Sequence, residues 1–379
     1  MRALLLFFLI ACSSSLMGQT LNETININGT QRQYLLRVPA GYVPGTPIPI
    51  VFVFHGLGDT GSGIMNGTRF NNISDTANFF VVYPTGLPDA ILGGASWNNG
   101  LNPFNSANDL GFVNSMIDTI SANYTVDSTR IYATGFSMGG FFSHLLACQL
   151  NERFAAIAGV SGTLAASTLS NCDPRQAIPV LHFHGTADAT IAYDGSTTFT
   201  SSVNATLEHW ATFNQCITGP DTTDLPDIAN DNYTVQRVDW TNCADSTKVS
   251  LFIEHNAPHT WLQSNNDIYA TEEIWHFFRQ YLKKEFVDTV SSGIQHPGQV
   301  MVRTISPNPF RDQLNIELAG GVESSFEVMD IMGKVVYRSE EVNAWSFSIE
   351  TKNWNAGTYF LRTISESGEP QLIKVLKTE

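Results

Sequence analysis

Positive charge is scarce in this sequence. Against 20 Lys and Arg stand 35 Asp and Glu over 379 residues, a formal net charge of −15 at pH 7. A surface of that sign repels phosphate backbones and anionic headgroups, so nucleic acid and membrane surfaces are poor partner candidates. Long apolar runs are scarce too. The run Ala3 to Ala11 behind Met1-Arg2 is too short to span a bilayer but suits a secretory signal peptide, residues 1–18, cleaved near Gly18-Gln19. Elsewhere no stretch is long and apolar enough for a transmembrane segment. Within the same leader, Leu9-Ile10-Ala11-Cys12 also reads as a lipobox, in which Cys12 would be lipidated.

Cofactor signatures are missing as well. No G-x-G-x-x-G follows a strand, no His/Asp/Glu cluster has metal-ligand spacing, and no cysteines form a C-x-x-C pair, so neither cofactor nor metal is expected. Cysteines are few. Once Cys12 leaves with the leader, Cys148, Cys172, Cys216 and Cys243 remain, an even number suited to an oxidising compartment. Three pairings are open to four cysteines; short loops favour Cys148 with Cys172 and Cys216 with Cys243, each worth about 3 kcal/mol in the chain-entropy picture.

What is present is organised around Ile131-Tyr132-Ala133-Thr134-Gly135-Phe136-Ser137-Met138-Gly139-Gly140. An apolar strand runs into Gly-x-Ser-x-Gly and then a helix-forming tract from Phe141 to Leu150. That context makes the pattern a nucleophile elbow, with Ser137 lifted at the carboxyl edge of a sheet. Further apolar strands are expected at 47–54, 79–83, 154–161, 178–183 and 248–254, interleaved with helices at 108–124, 204–214 and 269–284. A hairpin precedes them at 22–39, and residues 221–232 read as a polar surface loop. The alternation predicts an α/β, doubly wound, mostly parallel sheet spanning residues 19–286. After a Ser/Gly/Pro-containing linker at 287–302, residues 303–379 show only short strands with turn signals, a small all-β sandwich.

Acyl transfer by a serine needs a base, a carboxylate to orient it and donors for the oxyanion. Ser137, Asp188 and His259 follow one another in the order this fold uses, each just after an expected core strand. Asp173 and Asp194 are the rivals to Asp188, and His255 is the rival to His259; Asp188 alone sits in a short turn straight off an apolar strand. His144 and His182 read as packed or hydrogen-bonded histidines of the interior, while His209, His276 and His296 have no motif around them. The backbone N–H of Met138 and one from the His55-Gly56-Leu57 turn, that of Leu57, are expected to form the oxyanion hole. His55, Trp97 and Trp261 are candidate substrate-pocket residues, with ordinary core packing the competing reading for the two tryptophans.

With these residues in place, positions of about 35 to 285 resemble the secreted polyhydroxybutyrate depolymerase-like and feruloyl or acetylxylan esterases of the α/β-hydrolase class. The likeness rests on His55-Gly56, Ser96-Trp97-Asn98, Asp109 with Gly111-Phe112, Asp127 with Arg130-Ile131-Tyr132, the elbow, His184-Gly185-Thr186 with Asp188, and His259-Thr260-Trp261. It implies a cofactor-free serine carboxylic ester hydrolase working through an acyl-enzyme on a polymeric or small ester. Some members carry Cys after His-Gly where this chain has Leu57, so a disulfide anchoring that loop is absent. A serine peptidase on the same fold and a non-catalytic adhesin or glycan binder are the alternatives.

Residues 303–379 resemble the C-terminal sorting domain of the type IX secretion system of Bacteroidetes. The likeness rests on Ser306-Pro307-Asn308-Pro309-Phe310, Asp330-Ile331-Met332-Gly333-Lys334 and Ala356-Gly357-Thr358-Tyr359. It implies the type IX machinery as a partner and a secreted, extracellular location. Which ester is cleaved, and the oligomeric state, are not readable from the residues.

Overall fold

The computed structural model describes residues 18–284 apart from 103, 171, 173, 197 and 198, together with segments of 302–378. Of the expected leader 1–18, residues 1–17 lie outside the described residues, as do residues 287–301 of the expected linker 287–302. Two compact units divide the chain, Met1–Phe286 and Val287–Glu379.

The first unit begins with strands β1 (Gln19–Ile27), β2 (Thr30–Val38) and β3 (Ile48–Phe54). Helices α1 (Gly61–Thr68) and α2 (Phe70–Ala77) then lead to β4 (Phe80–Pro84) and a short ribbon, β5 (Leu87–Asp89) with β6 (Gly94–Ser96). Next come α3 (Asp109–Asn123), β7 (Val126–Phe136), α4 (Met138–Gln149), β8 (Ala156–Val160), α5 (Ala166–Leu169) and β9 (Val180–Gly185). The unit closes with α6 (Val203–Phe213), β10 (Thr218–Asp224), β11 (Thr234–Thr241), β12 (Val249–His255) and α7 (Ala270–Phe278).

Ten of these strands form one sheet in the order β1-β2-β4-β3-β7-β8-β9-β12-β11-β10. From β4 to β12 every pairing is parallel, and the two strands added at each edge are antiparallel. The residue types explain the layout. Ile48–Phe54 is buried at every position, as are β4, β8 and β9, because helices cover both faces; such strands must be apolar throughout. In β2 buried positions alternate with more exposed ones. Helix α4 is buried almost all round, which fits its place behind the elbow strand.

Several sequence expectations need correction. Helices α1 and α2, absent from the sequence reading, occupy the stretch after His55-Gly56; their Gly- and Asn-rich sequence has low helix propensity, and packing on β3 and β4 holds them. Residues 221–224 form part of the exposed edge strand β10, whose polarity reflects faces that cover nothing. The last helix ends at Phe278, well before Lys284. Strand β7 starts earlier than its apolar core, at Val126. Two disulfides join Cys148 to Cys172 and Cys216 to Cys243.

In the second unit, β13 (Val302–Ser306), β14 (Gln313–Leu318) and β17 (Ser346–Glu350) make a three-stranded antiparallel sheet. Strands β15 (Ser325–Asp330), β16 (Val335–Arg338), β18 (Gly357–Ile364) and β19 (Leu372–Lys377) make a four-stranded antiparallel one. Leu314, Ile316 and Ile349 of the first meet Phe326, Val328, Leu361 and Val375 of the second in one core, a sandwich.

Within the first unit an ion pair locks the N-terminal hairpin to α3. Arg32 Nη2 of β2 lies 2.6 Å from Asp109 Oδ1, both side chains being almost fully buried. Asp109 Oδ2 accepts the N–H of Asn98 at 2.7 Å, and the guanidinium covers the Phe112 ring. Breaking a buried pair strands the remaining charge, at a cost of about 3–5 kcal/mol. Arg32→Met should therefore lower the unfolding free energy by about that amount in urea titration. A loss below about 1 kcal/mol would show that Asp109 does not depend on this partner.

Candidate active site

The turn from β7 into α4 places Ser137 at φ 54° and ψ −118°, a left-handed conformation unusual for a serine. Small residues make room for it. A Cβ on Gly139 would lie 2.1 Å from Phe54 O, and one on Gly162 would lie 2.1 Å from Ser137 O. The elbow is thus wedged between the end of β3 and the turn after β8, and Ser137 N–H donates to Val160 O at 2.8 Å.

The turn His55-Gly56-Leu57 lies against the serine. A Cβ on Gly56 would approach Ser137 Cβ to 3.3 Å. Three contacts from the following loop fix this turn. Gly86 N–H donates to His55 Nε2 at 2.9 Å, the Trp97 indole N–H donates to His55 O at 2.9 Å, and Gly58 N–H donates to Ala95 O at 2.9 Å. Since His55 Nε2 accepts, its Nδ1 carries the proton and donates to Gly56 O at 2.6 Å. Met138 is the first residue of α4, where backbone N–H groups have no intrahelical acceptor.

Asp188 and His259 arrive on two loops that clasp each other. A Cβ on Gly185 would lie 2.2 Å from Ala257 O, so only glycine permits the approach. Ala187 N–H donates to Ala257 O at 3.1 Å, and Asn256 N–H donates to Thr186 Oγ1 at 2.9 Å. The clasp brings His259 Nδ1 to 2.7 Å from Asp188 Oδ2. Asp188 Oδ1 accepts the N–H groups of Thr190 and Ile191, both at 2.8 Å. Burial works to raise the Asp188 pKa, but the His259 hydrogen bond and those two backbone donors outweigh it and hold the carboxyl below its ordinary value. The His259 ring packs on Phe136, the residue before Ser137, with centroids 4.8 Å apart. Ser161 anchors the far side, its hydroxyl donating to Thr260 O at 3.2 Å.

Ser137, Asp188 and His259 therefore converge on one edge of the sheet. The rivals do not join them. Asp194 is exposed and His255 ends β12 without a hydrogen bond to Asp188, while Asp173 lies outside the described residues. Three pocket candidates are corrected. His55 is fully buried and spends both ring nitrogens on the backbone. Trp97 stacks on Phe142 in the core, and Trp261 is buried with its N–H on Thr271 Oγ1. All three shape the site from behind. Leu57, by contrast, is 43% exposed. Sequence reasoning missed Gly162 and Ser161, and it named Gly185 in a motif without its role in the clasp with Ala257. Among the described residues no group of His, Cys, Asp and Glu could hold a metal ion.

The Phospholipase/Carboxylesterase family matches residues 45–217, and the Secretion system C-terminal sorting domain matches residues 304–377. The first unit has the α/β-hydrolase fold and is similar to carboxylic ester hydrolases, and the second matches a secretion sorting domain. Feruloyl esterase D of Neurospora crassa is 25% identical over 70% of this chain and 86% of its own length. Feruloyl esterase C of Emericella nidulans is 27% identical over 68% and 87%. A bifunctional acetylxylan esterase/xylanase of Neocallimastix patriciarum is 25% identical over 77% of this chain, which spans only 38% of that protein's length. The acetyl xylan esterase structure from Aspergillus awamori shares the hydrolase fold, with a TM-score of 0.51 at 20% identity over 69% of this chain and 99% of that one. The sorting domain places the protein outside the cell or at its surface. Among the described residues no helix is long and apolar enough to cross a membrane.

One further carboxyl lies behind the hydrolase's triad candidates. Glu254, on β12 opposite Gly185, is fully buried with neither carboxyl oxygen hydrogen-bonded. Burial first, and the charge of Asp188 second, push its pKa up to about 8. Unfolding would return it to about 4.5, so the folded state holds a proton that the unfolded chain releases between those values. This group's contribution to stability is complete below about pH 4.5 and is lost as the pH rises through about 8. Glu254→Gln should match the parent in denaturation midpoint at pH 4.5 and exceed it increasingly toward pH 9. A midpoint gap that does not change with pH would show that Glu254 is not held neutral.

Proposed function

We propose that this exported ester hydrolase is a serine esterase that releases feruloyl or acetyl groups from plant polysaccharide through an acyl-enzyme. Ser137 is the nucleophile, His259 the base and Asp188 the residue that orients it. The observation that carries the reading is the 2.7 Å bond from His259 Nδ1 to Asp188, with the imidazole packed on the residue beside the strained serine. With its Nδ1 proton committed to the carboxylate, His259 presents the Nε2 lone pair to the Ser137 hydroxyl. Attack on the ester carbonyl passes the hydroxyl proton to Nε2, and the oxyanion is received by the N–H groups of Met138 and Leu57. Collapse transfers that proton to the departing sugar oxygen. A water then repeats the sequence on the acyl-serine and regenerates Ser137.

The substrate class follows from three supports: relatives named for feruloyl and acetylxylan esters, an exported location, and a site that needs no cofactor. An acidic surface suits a neutral polysaccharide better than a polyanion. Residues 1–18 act as the signal peptide, 19–286 as the esterase domain, 287–302 as the linker, and 303–379 as the address read by the type IX machinery.

Ser137→Ala should abolish hydrolysis of nitrophenyl acetate, methyl ferulate and acetylated xylan while leaving the melting temperature unchanged. Asp188→Asn should lower kcat by about 10⁴-fold, since the amide favours the wrong imidazole tautomer. Undiminished turnover by the alanine variant would overturn the mechanism. Activity confined to hydroxybutyrate oligomers, or to peptide bonds, would overturn the substrate class.

A further inference from the structure

Behind Asp188 lies a file of polar rings that the reaction above does not use. The Trp210 indole N–H of α6 donates to His144 Nδ1 of α4 at 3.1 Å. His144 Nε2 lies 3.2 Å from His182 Nδ1, and His182 Nε2 lies 3.1 Å from His184 Nδ1, both of the latter on β9. His184 Nε2 then lies 2.8 Å from Ile191 O and 3.5 Å from Asp188 Oδ2. All four side chains are fully buried.

We propose that Trp210, His144, His182 and His184 form a one-way hydrogen-bond relay that positions Asp188, with Trp210 setting the tautomer of every imidazole in the file. The inference rests on the reading that Asp188 orients His259.

The direction follows from donor chemistry. An indole donates and cannot accept, so His144 Nδ1 must be the acceptor. A neutral imidazole has one donor and one acceptor, so His144 donates from Nε2 to His182, and His182 donates from Nε2 to His184. His184 is left with its proton on Nε2, facing a carbonyl that can only accept. Both ends of the file demand the same order. Reversing it would set two N–H groups against each other at Trp210 and lone pairs against Ile191 O and the Asp188 carboxylate. Protonating any member would likewise bring two N–H groups face to face at one link.

The surroundings keep the file neutral. Burial lowers His144 to about 3, takes His182 well below its ordinary value and lowers His184. The titratable groups facing it are few. His209 packs on Trp210, Tyr193 meets the His184 ring edge-on, and Asp188 lies beside His184 with His259 and Glu254 next to it.

What the relay does is read at its last member. The His184 N–H holds Ile191 O, and the Ile191 N–H holds Asp188 Oδ1, so the turn carrying the carboxylate is bolted to β9. The same N–H points its positive end toward Oδ2, the oxygen that receives His259. Four buried polar rings would be poor filling for a core if packing were their only task.

Two variants and a spectrum test this. Gln at position 182 can accept from His144 and donate to His184 in the same order; Leu can do neither. His182→Leu should lower kcat toward a nitrophenyl ester by about 10- to 100-fold with KM unchanged and displace the pH–rate profile, and His182→Gln should restore most of the rate and the parental profile. Independently of turnover, ¹⁵N-histidine NMR of the Ser137→Ala protein should show three Nε2–H imidazoles that do not titrate between pH 5 and 8. That spectrum stands even if Ser137 is not the nucleophile, so it separates failure of the relay from failure of the esterase reading. Should His182→Leu not fold, the glutamine variant and the spectrum decide. A folded His182→Leu protein with parental kcat and profile, a glutamine variant as impaired as the leucine one, or an Nδ1–H tautomer at any of the three positions would overturn the proposal.

Discussion

The site depends on the backbone at Ser137. A serine at φ 54° costs about 1–3 kcal/mol and survives only when its surroundings over-determine it. Here they do so from three sides: the end of β3, the turn after β8, and the helix that starts at Met138. The parallel order β3-β7-β8 is what brings those pieces together, because each strand delivers its carboxyl end to the same edge. Strands β9 and β12 continue the order, and the loops that leave them carry Asp188 and His259. Glycine appears in the elbow and at the end of β9 because backbones meet at both places with no room for a Cβ.

The chain order and the apolar runs made much of this legible beforehand. Runs such as Ile48–Phe54 read as buried parallel strands because their burial is unbroken. The turn residues that follow them, with Ser, Asp and His in sequence, identify the edge where a site can form. What stayed hidden were features fixed by tertiary contacts. Helices α1 and α2 are only eight residues each, and their Gly- and Asn-rich composition reads as loop. Trp97, Trp261 and His55 look like pocket residues from their motif neighbours, yet each is turned inward by a hydrogen bond to a group on another element or loop. Glu254 closes an expected core strand, and only the sheet order reveals that its carboxyl is enclosed. The file from Trp210 to His184 draws on α4, α6 and β9, so no local pattern could announce it.

Placement and chemistry fit one another. The two disulfides suit the oxidising setting outside the cell. Low positive charge removes competition from anionic polymers and surfaces. Part of the polar interior of the hydrolase domain, the file from Trp210 to His184, lies behind the Asp188 carboxylate, and the buried Arg32–Asp109 pair is another part.

The central claim is that Ser137 is a nucleophile activated by the folded site. The most direct measurement is reaction with a fluorophosphonate probe, followed by intact mass and peptide mapping. The account predicts one phosphonyl group per folded chain, carried by Ser137, with no adduct once the protein is unfolded in urea. A folded protein that takes up no probe, or takes it up at another residue, would contradict it.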